Sequence, residues 1–267
     1  MLISPFSGLG IGTAPKALIA HDISTTVVEL DPLVHRYAVD YFGLPTNHTA
    51  MLSDAVPWVK ELAATTVEQD VAVSQMESAK STMKSQSYDY IIHDVFTGGA
   101  SPLALFTLEF LSSLKTALNE HGVIAINYAG DITLKPMPNV LRTINVVFDG
   151  RCRAFRETAP TTQGTGEASA DEGDMLNLVV FCVKAESMWP FSFKEPVESD
   201  YIGSKSRRRF LVPKRDLEIV LPDRDEKSVE LVRDANVNSW KPQQLEAARR
   251  HWKLMRDMVP AVVWENW

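Results

Sequence analysis

Strand-like and helix-like segments alternate along the first two-thirds of this chain, and this alternation constrains the fold more than any other feature of the sequence. Short apolar runs at residues 25–30, 88–93 and 123–128 are rich in valine, isoleucine and tyrosine. The longer segments 32–42 and 103–119 carry apolar residues at helical spacing. Because a helix can return the chain to begin a neighbouring strand in the same direction, the pattern predicts a mostly parallel sheet covered by helices.

Weaker signals complete the pattern. Residues 54–64 predict a further helix, whereas residues 66–87, although periodic, are predicted to be a surface insertion. Glu120-His121-Gly122 predicts a turn between the helix at 103–119 and the strand that follows it.

The last two strands are predicted to form a hairpin. Residues 140–156 predict a helix that runs into a strand, and residues 176–184 predict a second, strongly apolar strand. Between them, residues 158–174 are rich in threonine, glycine, alanine and acidic residues, and predict a long loop. The predicted fold class is therefore α/β, with a mostly parallel sheet, an antiparallel edge hairpin and a C-terminal extension.

The pattern changes after about residue 185. Prolines then break the chain into short pieces, at positions 190, 196, 213, 222 and 242. Residues 242–258 predict an amphipathic helix. Its apolar face carries Leu245, Ala248, Trp252 and Met255. We therefore divide the chain into a main domain, residues 1–185, and a C-terminal extension, residues 186–267.

The extension is rich in tryptophan. Trp189, Trp240, Trp252 and Trp264 all belong to it. We expect these side chains to pack the extension onto the main domain rather than to form an aromatic cage, with a surface for a partner as the alternative.

The composition argues against several classes of protein. The 267 residues carry a net charge of −7, whereas a nucleic-acid-binding surface normally needs a cationic face. The one dense basic run, residues 207–209, is expected to be a solvated loop rather than an anion site. No apolar run approaches the roughly 18–20 residues of a membrane span, and the start of the chain does not resemble a cleavable export signal. We therefore expect a cytoplasmic protein with no membrane span and no nucleic-acid partner.

Cys152 and Cys182 both lie in apolar, strand-like stretches. We expect buried thiols rather than a disulfide or a metal site. The sequence contains neither CxxC nor HExxH, and no metal is predicted.

A glycine loop, Gly8-Leu9-Gly10-Ile11-Gly12-Thr13, precedes the first predicted helix. Glycines let the backbone approach a ligand where a Cβ atom would collide. The third glycine of the dinucleotide pattern GxGxxG is replaced by Thr13, which argues against NAD. A tight turn without a ligand is the alternative interpretation of this loop.

Acidic residues after this loop favour a nucleoside. Glu29 ends the next strand, where a carboxylate can accept hydrogen bonds from both hydroxyls of a ribose. Asp31 competes for that role, but because Pro32 follows it we expect it to cap a helix. Asp54 can accept a hydrogen bond from an adenine amino group while Ala55 leaves room for the ring, although an ordinary helix cap is its alternative role. In this order, the motifs predict a pocket for an adenosine-containing ligand.

The chain resembles the spermidine synthase-like branch of the S-adenosylmethionine-dependent methyltransferase superfamily. Four ordered motifs carry the resemblance: GLGIGTAPKAL, VVELDP with the following helix and YFGLP, SDAVPWV, and YDYIIHDVFTGGASPLALFTLEFLSSLKTALNEHGVIAIN. The resemblance covers residues 8–130 well and is weaker in the extension, where LVRDANVNSW is similar to an acidic LTDD stretch of relatives.

This resemblance implies a Rossmann-like domain that binds S-adenosylmethionine, over residues 1–185. The glycine loop, with Gly8, Gly10 and Gly12, would lie around this cofactor. It also implies that Glu29 holds the ribose, that Asp54 and Ala55 contact the adenine, and that Asp94 closes the site. In aminopropyltransferases of this branch, the aspartate that matches Asp94 is the proposed base for the attacking amine. His93 beside it is either a proton relay or, as strand alternation favours, a residue of the opposite face.

Two departures bear on which group is transferred. Aminopropyltransferases carry an aspartate inside the glycine loop, where this chain has Ile11, and a second acid after the catalytic aspartate, where it has Thr97. Because both carboxylates hold cationic groups, their absence favours methyl transfer over aminopropyl transfer from decarboxylated S-adenosylmethionine. Thr97 to Pro102 remain as a predicted lid over an acceptor, which is a small molecule or a protein. A homodimer would fit the family.

The start of the chain supports a third, non-catalytic hypothesis. Only Met1 to Ser7 precede Gly8, and Pro5 interrupts what should be a central strand. The small N-terminal β-domain of the resembling synthases is also absent. We therefore expect either a shortened gene model or the loss of part of the active site, in which case the chain would be a scaffold.

Overall fold

The computed structural model describes residues 2–4, 9–75, 87–95, 101–157, 175–258, 260 and 262. These residues form one eight-stranded sheet. The strands are β1 (Leu2–Ser4), β2 (Thr26–Glu29), β3 (Thr49–Leu52), β4 (Tyr88–Asp94), β5 (Leu118–Asp131), β6 (Cys152–Arg156), β7 (Met175–Val183) and β8 (Glu218–Ile219). The helices are α1 (Thr13–Ala20), α2 (Pro32–Asp40), α3 (Ala55–Gln75), α4 (Leu108–Ala117), α5 (Pro136–Val147), α6 (Lys205–Phe210) and α7 (Lys241–Met258).

The strand order is β3-β2-β1-β4-β5-β7-β6-β8. The first five strands in this order are parallel, whereas β7 is antiparallel to both of its neighbours, β5 and β6. This arrangement confirms the predicted fold class: a mostly parallel α/β sheet with an antiparallel hairpin toward one edge. The extension adds β8 outside that hairpin, antiparallel to β6.

The first strand is short but fully paired. Leu2 pairs with Val27 on one side and with Ile92 on the other, so β1 is a central strand. Its three residues end before Pro5, and the missing proline donor therefore falls outside the ladder. Pro5 itself lies outside the described residues, so its effect on this strand stays a prediction, and β1 is short but has neighbours on both sides.

Several predicted boundaries change. Helix α3 continues to Gln75, so the first part of the predicted surface insertion is helical, while residues 76–86 lie outside the described residues. The helix predicted over 103–119 is a 3₁₀ turn followed by α4, which begins where Thr107 accepts a hydrogen bond from the Phe110 amide. The predicted turn at Gly122 is a bulge inside β5, because the pairing shifts from Tyr88–Leu118 to Tyr90–Val123.

The main hydrophobic core lies between the sheet and α3, α4 and α5. Phe106, Phe110, Leu114, Ile124 and Phe148 are all fully buried in it. A second, smaller cluster with Val27, Ala38 and Leu44 packs on the other face of the sheet, so polar side chains at the strand ends are the ones left for a site.

Cys152 and Cys182 form a disulfide, and the prediction of two buried thiols is wrong. The two residues are direct partners in the antiparallel β6–β7 pair, with their Cα atoms 4.2 Å apart. Directly opposite residues of an antiparallel pair are close enough for a covalent bridge. The apolar composition of the two stretches carried no information about this register.

The extension contacts the main core at several points. Val232 and Trp240 are buried in the core, and the Val232 amide donates to Thr143 Oγ1 at 2.9 Å. Trp240 therefore packs as predicted, whereas Trp189 and Trp252 are each exposed by a third or more. Trp264 lies outside the described residues.

Helix α7 exists as predicted but contacts the main domain through a different face. Leu245 and Trp252 of the predicted apolar face are about half exposed. Gln244 instead donates to the Ser101 carbonyl at 3.1 Å, and Arg250 pairs with buried Asp131 at 2.9 Å. Polar anchors thus orient this helix. None of the described helices is both long and apolar enough to cross a bilayer.

Candidate functional site

The carboxyl ends of five parallel strands lie in register at one edge of the sheet. Ser4 pairs with Glu29, and Glu29 pairs with Leu52. On the other side of β1, Ile3 pairs with His93, which places Asp94 beside Ser4, and Asp94 pairs with Asn127. We use the name carboxyl-edge row for five of these residues: Ser4, Glu29, Leu52, Asp94 and Asn127. The order of connections reverses at β1, and open α/β sheets bind ligands at such a switch point.

The described part of the glycine loop, residues 9–12, leads directly into α1. Gly10 and Gly12 have φ values of +49° and +78°, a conformation that favours glycine. Gly12 is the N-cap residue of α1 and has no side chain to satisfy the free amides of the first turn, which therefore remain available to a ligand. Gly8, the first predicted glycine, lies outside the described residues.

Glu29 is completely buried at the end of β2. Its Oε1 accepts a hydrogen bond from the Asp31 amide at 3.0 Å, which orients the carboxylate. Asp31 caps α2 by accepting from the Leu33 amide at 2.8 Å, and Pro32 occupies the first turn. The prediction that Asp31 is a helix cap is confirmed; the ribose role of Glu29 stays a prediction.

Two histidines form a pair near Glu29. His35 Nε2 and His48 Nε2 are 2.9 Å apart, and His48 Nδ1 contacts the Pro45 carbonyl at 2.7 Å. Because a carbonyl only accepts, His48 carries its proton on Nδ1 and His35 donates between the two rings. Burial and then the neighbouring His48 lower the pKa of His35, while Glu29 opposes the shift. The sequence interpretation missed this pair.

Asp54 follows β3 and begins α3. Its Oδ1 accepts a hydrogen bond from the Val56 amide at 2.9 Å, so the capping role exists. The Asp54 side chain is exposed, whereas Ala55 is completely buried in the core. The Oγ atom of Ser53, just before them, is buried and has no hydrogen-bond partner among the described residues. A buried hydroxyl without a partner at this edge is consistent with a site that binds a polar ligand.

Asp94 is half-buried and bonded to a residue that the sequence did not indicate. Asn127 Nδ2 donates to Asp94 Oδ1 at 2.8 Å. A carboxylate only accepts, so the amide nitrogen must face Asp94, and the Asn127 Oδ1 atom points elsewhere. That oxygen is buried and unpartnered within the described part of the chain. The signal in the sequence was its place near the end of the apolar run at residues 123–128, one strand along from Asp94.

His93 belongs to the opposite face, as strand alternation predicted. Its ring packs against Phe106 and Phe110, with centroids 5.0 and 5.7 Å away, and its Nε2 atom donates to the Leu105 carbonyl at 3.0 Å. Burial lowers the pKa of His93 to about 4, against a weaker opposing effect of the Leu105 hydrogen bond. His93 is therefore a neutral core histidine and not a proton relay.

The segment after Asp94 is only partly described. Residues 96–100, including Thr97, lie outside the described residues, whereas Ser101 donates to the Ala129 carbonyl at 3.0 Å. Beyond it, Asp131 accepts hydrogen bonds from Thr133 and Arg250 at the end of β5. Burial alone would raise the pKa of Asp131, but these hydrogen bonds hold it below the usual range. The contact of Asp131 with Arg250 joins α7 to the end of β5.

Comparison with known proteins agrees with this geometry. No family model matches the chain. The chain is 41% identical, over 97% of its length, to an N-terminal histidine N-methyltransferase of Emericella nidulans, of which it spans 43%. It is 31% identical over 124 residues to a polyamine aminopropyltransferase of Vibrio vulnificus, covering 45% of this chain and 35% of that protein. The chain thus spans less than half of either curated relative.

A solved structure shares the fold. The crystal structure of a probable spermidine synthase from Corynebacterium glutamicum superposes with a TM-score of 0.54 at 18% identity, over 88% of this chain and 72% of that one. At this level of identity the likeness concerns the fold alone.

Proposed function

We propose that this chain, which belongs to the S-adenosylmethionine-dependent methyltransferase superfamily and has a Rossmann-like fold shared with a probable spermidine synthase, is the S-adenosylmethionine-binding part of an N-methyltransferase. The acceptor is a nitrogen of a histidine at the N-terminus of a polypeptide, in line with the curated relative that is 41% identical over nearly the whole chain. The observation that carries the proposal is the carboxyl-edge row, which brings Glu29, Asp94 and Asn127 to the switch point of the sheet.

Each predicted cofactor residue has a place in this proposal. The amides at the start of α1, with Gly10 and Gly12, donate hydrogen bonds to the amino-acid end of the cofactor. Glu29 binds the ribose, and Asp54 binds the adenine. Ala55 leaves space beside the ring by carrying no larger side chain. The unpartnered Ser53 hydroxyl supports a polar ligand at this end of the row.

The chemistry requires little acid–base catalysis. When bound, S-adenosylmethionine supplies a methyl group on a sulfonium, which is a good leaving group. An imidazole has an unperturbed pKa near 6.5, so one of its nitrogens is unprotonated at neutral pH and can attack. Asp94 holds the N–H of the acceptor, and Asn127 orients the Asp94 carboxylate through the 2.8 Å hydrogen bond. Positioning therefore contributes most of the expected acceleration.

Methyl transfer is favoured over aminopropyl transfer because this chain lacks an acidic residue that would bind the amine of the decarboxylated cofactor. Ile11 lies in the glycine loop, where aminopropyltransferases carry an aspartate, and its side chain is about half exposed. An apolar residue at this position offers nothing to the amine of decarboxylated S-adenosylmethionine, which favours the carboxylated cofactor.

The test has two stages. Calorimetric titration should show that S-adenosylmethionine binds more tightly than its decarboxylated form. Incubation with a peptide that begins with histidine should then produce S-adenosylhomocysteine and a peptide heavier by one methylene, and fragmentation would identify the modified nitrogen. A matched peptide with an acetylated N-terminus and one that begins with glutamine serve as controls.

Three results would contradict the proposal. Tighter binding of the decarboxylated cofactor, with methylthioadenosine as the by-product, would favour aminopropyl transfer. Binding of neither cofactor would favour a non-catalytic role. Binding without methylation of any histidine peptide would show that this chain does not act on such acceptors.

A further inference from the structure

A cavity of about 430 Å³ lies beside the β6–β7 hairpin. Phe155, Val179 and Phe181 line it from the hairpin, and Phe210, Leu211 and Leu217 line it from the extension. We call it the hairpin cavity. Its volume is within the range of roughly 300–1,000 Å³ that is usual for ligand sites, and its walls are largely apolar.

The hairpin cavity carries an excess of positive charge. Arg156, Arg209 and Lys214 line it, with Glu157 as the one acidic residue among the lining residues that the structure describes. The Nε atom of Arg156 is buried and has no hydrogen-bond partner among the described residues. Arg156 pairs with the core residue Leu178, so strand alternation turns its side chain away from Phe155 and Val179, and Arg209 and Lys214 supply the positive charge at the cavity.

Neighbouring arginines are used differently. Arg153 forms two hydrogen bonds with Glu218, at 2.7 and 2.6 Å, and Arg208 pairs with Glu198 and lies 4.5 Å from the centre of the Tyr201 ring. Arg156, Arg209 and Lys214, by contrast, form no ion pair within the described ranges. The basic run at 207–209 is therefore divided between a structural arginine and one that faces a cavity.

The hairpin cavity is aligned with the carboxyl-edge row. Asn127 pairs with Val179 across β5 and β7, and Val179 pairs with Phe155 across β7 and β6. Directly opposite residues point to the same face of a sheet, and neighbouring strands are about 4.8 Å apart. The floor of the cavity therefore begins about 10 Å from Asn127. An extended peptide covers this distance in about three residues, at roughly 3.3 Å per residue.

We infer that the hairpin cavity is a specificity subsite for the acceptor polypeptide, and that it binds an apolar side chain with an adjacent carboxylate about three to four residues beyond the methylated histidine. This inference rests on the proposed function. Arg209 and Lys214 bind the carboxylate, and Phe155, Val179 and Phe181 bind the apolar side chain.

Direct peptide binding tests the inference without turnover. Two probe peptides begin with histidine and differ at residues four and five, which are Phe-Glu in one peptide and Ser-Lys in the other. Fluorescence anisotropy of peptides labelled at the C-terminus should show about tenfold tighter binding of the Phe-Glu peptide. Arg209→Gln and Lys214→Glu should remove most of this difference, whereas Arg208→Gln, the matched control, should preserve it.

Further arms separate the outcomes. Thermal melts of each variant show whether it folds, and Lys214→Glu alters an exposed residue that is not needed for packing. Equal binding of the two peptides, or equal losses in the Arg208→Gln variant, would overturn the subsite. Discrimination between peptides without any methylation would sustain the subsite and contradict the proposed function. Methylation of both peptides with equal KM values would support the proposed function and contradict the subsite.

Discussion

The parallel half of the sheet carries the candidate site, whereas the antiparallel half carries the covalent and ionic links between neighbouring strands. In the parallel half, Ser53 Oγ and Asn127 Oδ1 are buried at the carboxyl edge without partners among the described residues. In the antiparallel half, Cys152 is covalently joined to Cys182, and Arg153 forms a bidentate pair with Glu218. The Nε atoms of Arg151 and Arg156, on the antiparallel side, also lack partners among the described residues, so what sets that half apart is its covalent and ionic links between strands. The difference separates a candidate functional edge from a structural one.

Replacing Asp94 by Asn should have the largest effect, and this effect should be on catalysis rather than on stability. Loss of the carboxylate that holds the acceptor N–H is expected to lower kcat by about 10²-fold through lost positioning, with stability little changed because the amide is isosteric. Methyl transfer to a histidine peptide measures this effect. Asp89→Asn, on the same strand but at its other end, is the control and should retain activity. Equal losses in both variants would remove the functional distinction between the two ends of β4.

Removing the disulfide should lower the stability of the fold and leave cofactor binding unchanged. The Cys152–Cys182 bridge closes a loop with a sequence separation of 30, which corresponds to about 3–4 kcal/mol of stabilisation in the chain-entropy model. Cys152→Ala combined with Cys182→Ala should lower the free energy of unfolding by that amount. Calorimetry should find the same affinity for S-adenosylmethionine as in the wild-type chain. A large loss of affinity would show that the antiparallel half also shapes the cofactor site.

His93 tests whether a residue beside the carboxyl-edge row can be purely structural. Its pKa is about 4 in the folded chain and near 6.5 when unfolded, so the unfolded state binds the proton first. Stability is therefore fully present above pH 6.5 and falls as the pH decreases toward 4, by about 3 kcal/mol. His93→Gln should lack this part of the acid dependence, as measured by urea unfolding at several pH values. His121→Gln, at an exposed site, should behave like the wild type, and identical profiles for all three would contradict the assignment.

The smallest effect concerns Asp54, which is a helix cap and a predicted adenine contact. Asn caps helices about as well as Asp, so Asp54→Asn should leave the free energy of unfolding unchanged within about 0.5 kcal/mol. Replacing a charged hydrogen bond by a neutral one should weaken S-adenosylmethionine binding by about 5–10-fold. Asp31→Asn, at a cap that is not assigned to the adenine, is the matched control. Unchanged affinity in the Asp54 variant would leave Asp54 with its capping role alone.

Local rules predicted the elements whose causes are local. Asp31 before Pro32 correctly indicated a helix start, and the glycines at 10 and 12 occupy the left-handed conformations that this turn requires. The edge strand β3 was missed because Thr49–Leu52 is mostly exposed and shows no alternation. Helix α7 was predicted with the wrong contact face, because the ion pair of Arg250 with Asp131 outweighs the apolar periodicity of the helix.

The sequence by itself determined the α/β alternation, the glycine loop, the acidic residues that follow successive strands and the superfamily they indicate. Each of these depends on a few consecutive residues and on the directions in which a helix or strand points its side chains. Only the tertiary structure decided that Cys152 meets Cys182, that Asn127 supports Asp94, and that part of a basic run faces an apolar cavity. These contacts depend on strand register, which many weak long-range contacts set together and which no short stretch of the chain encodes.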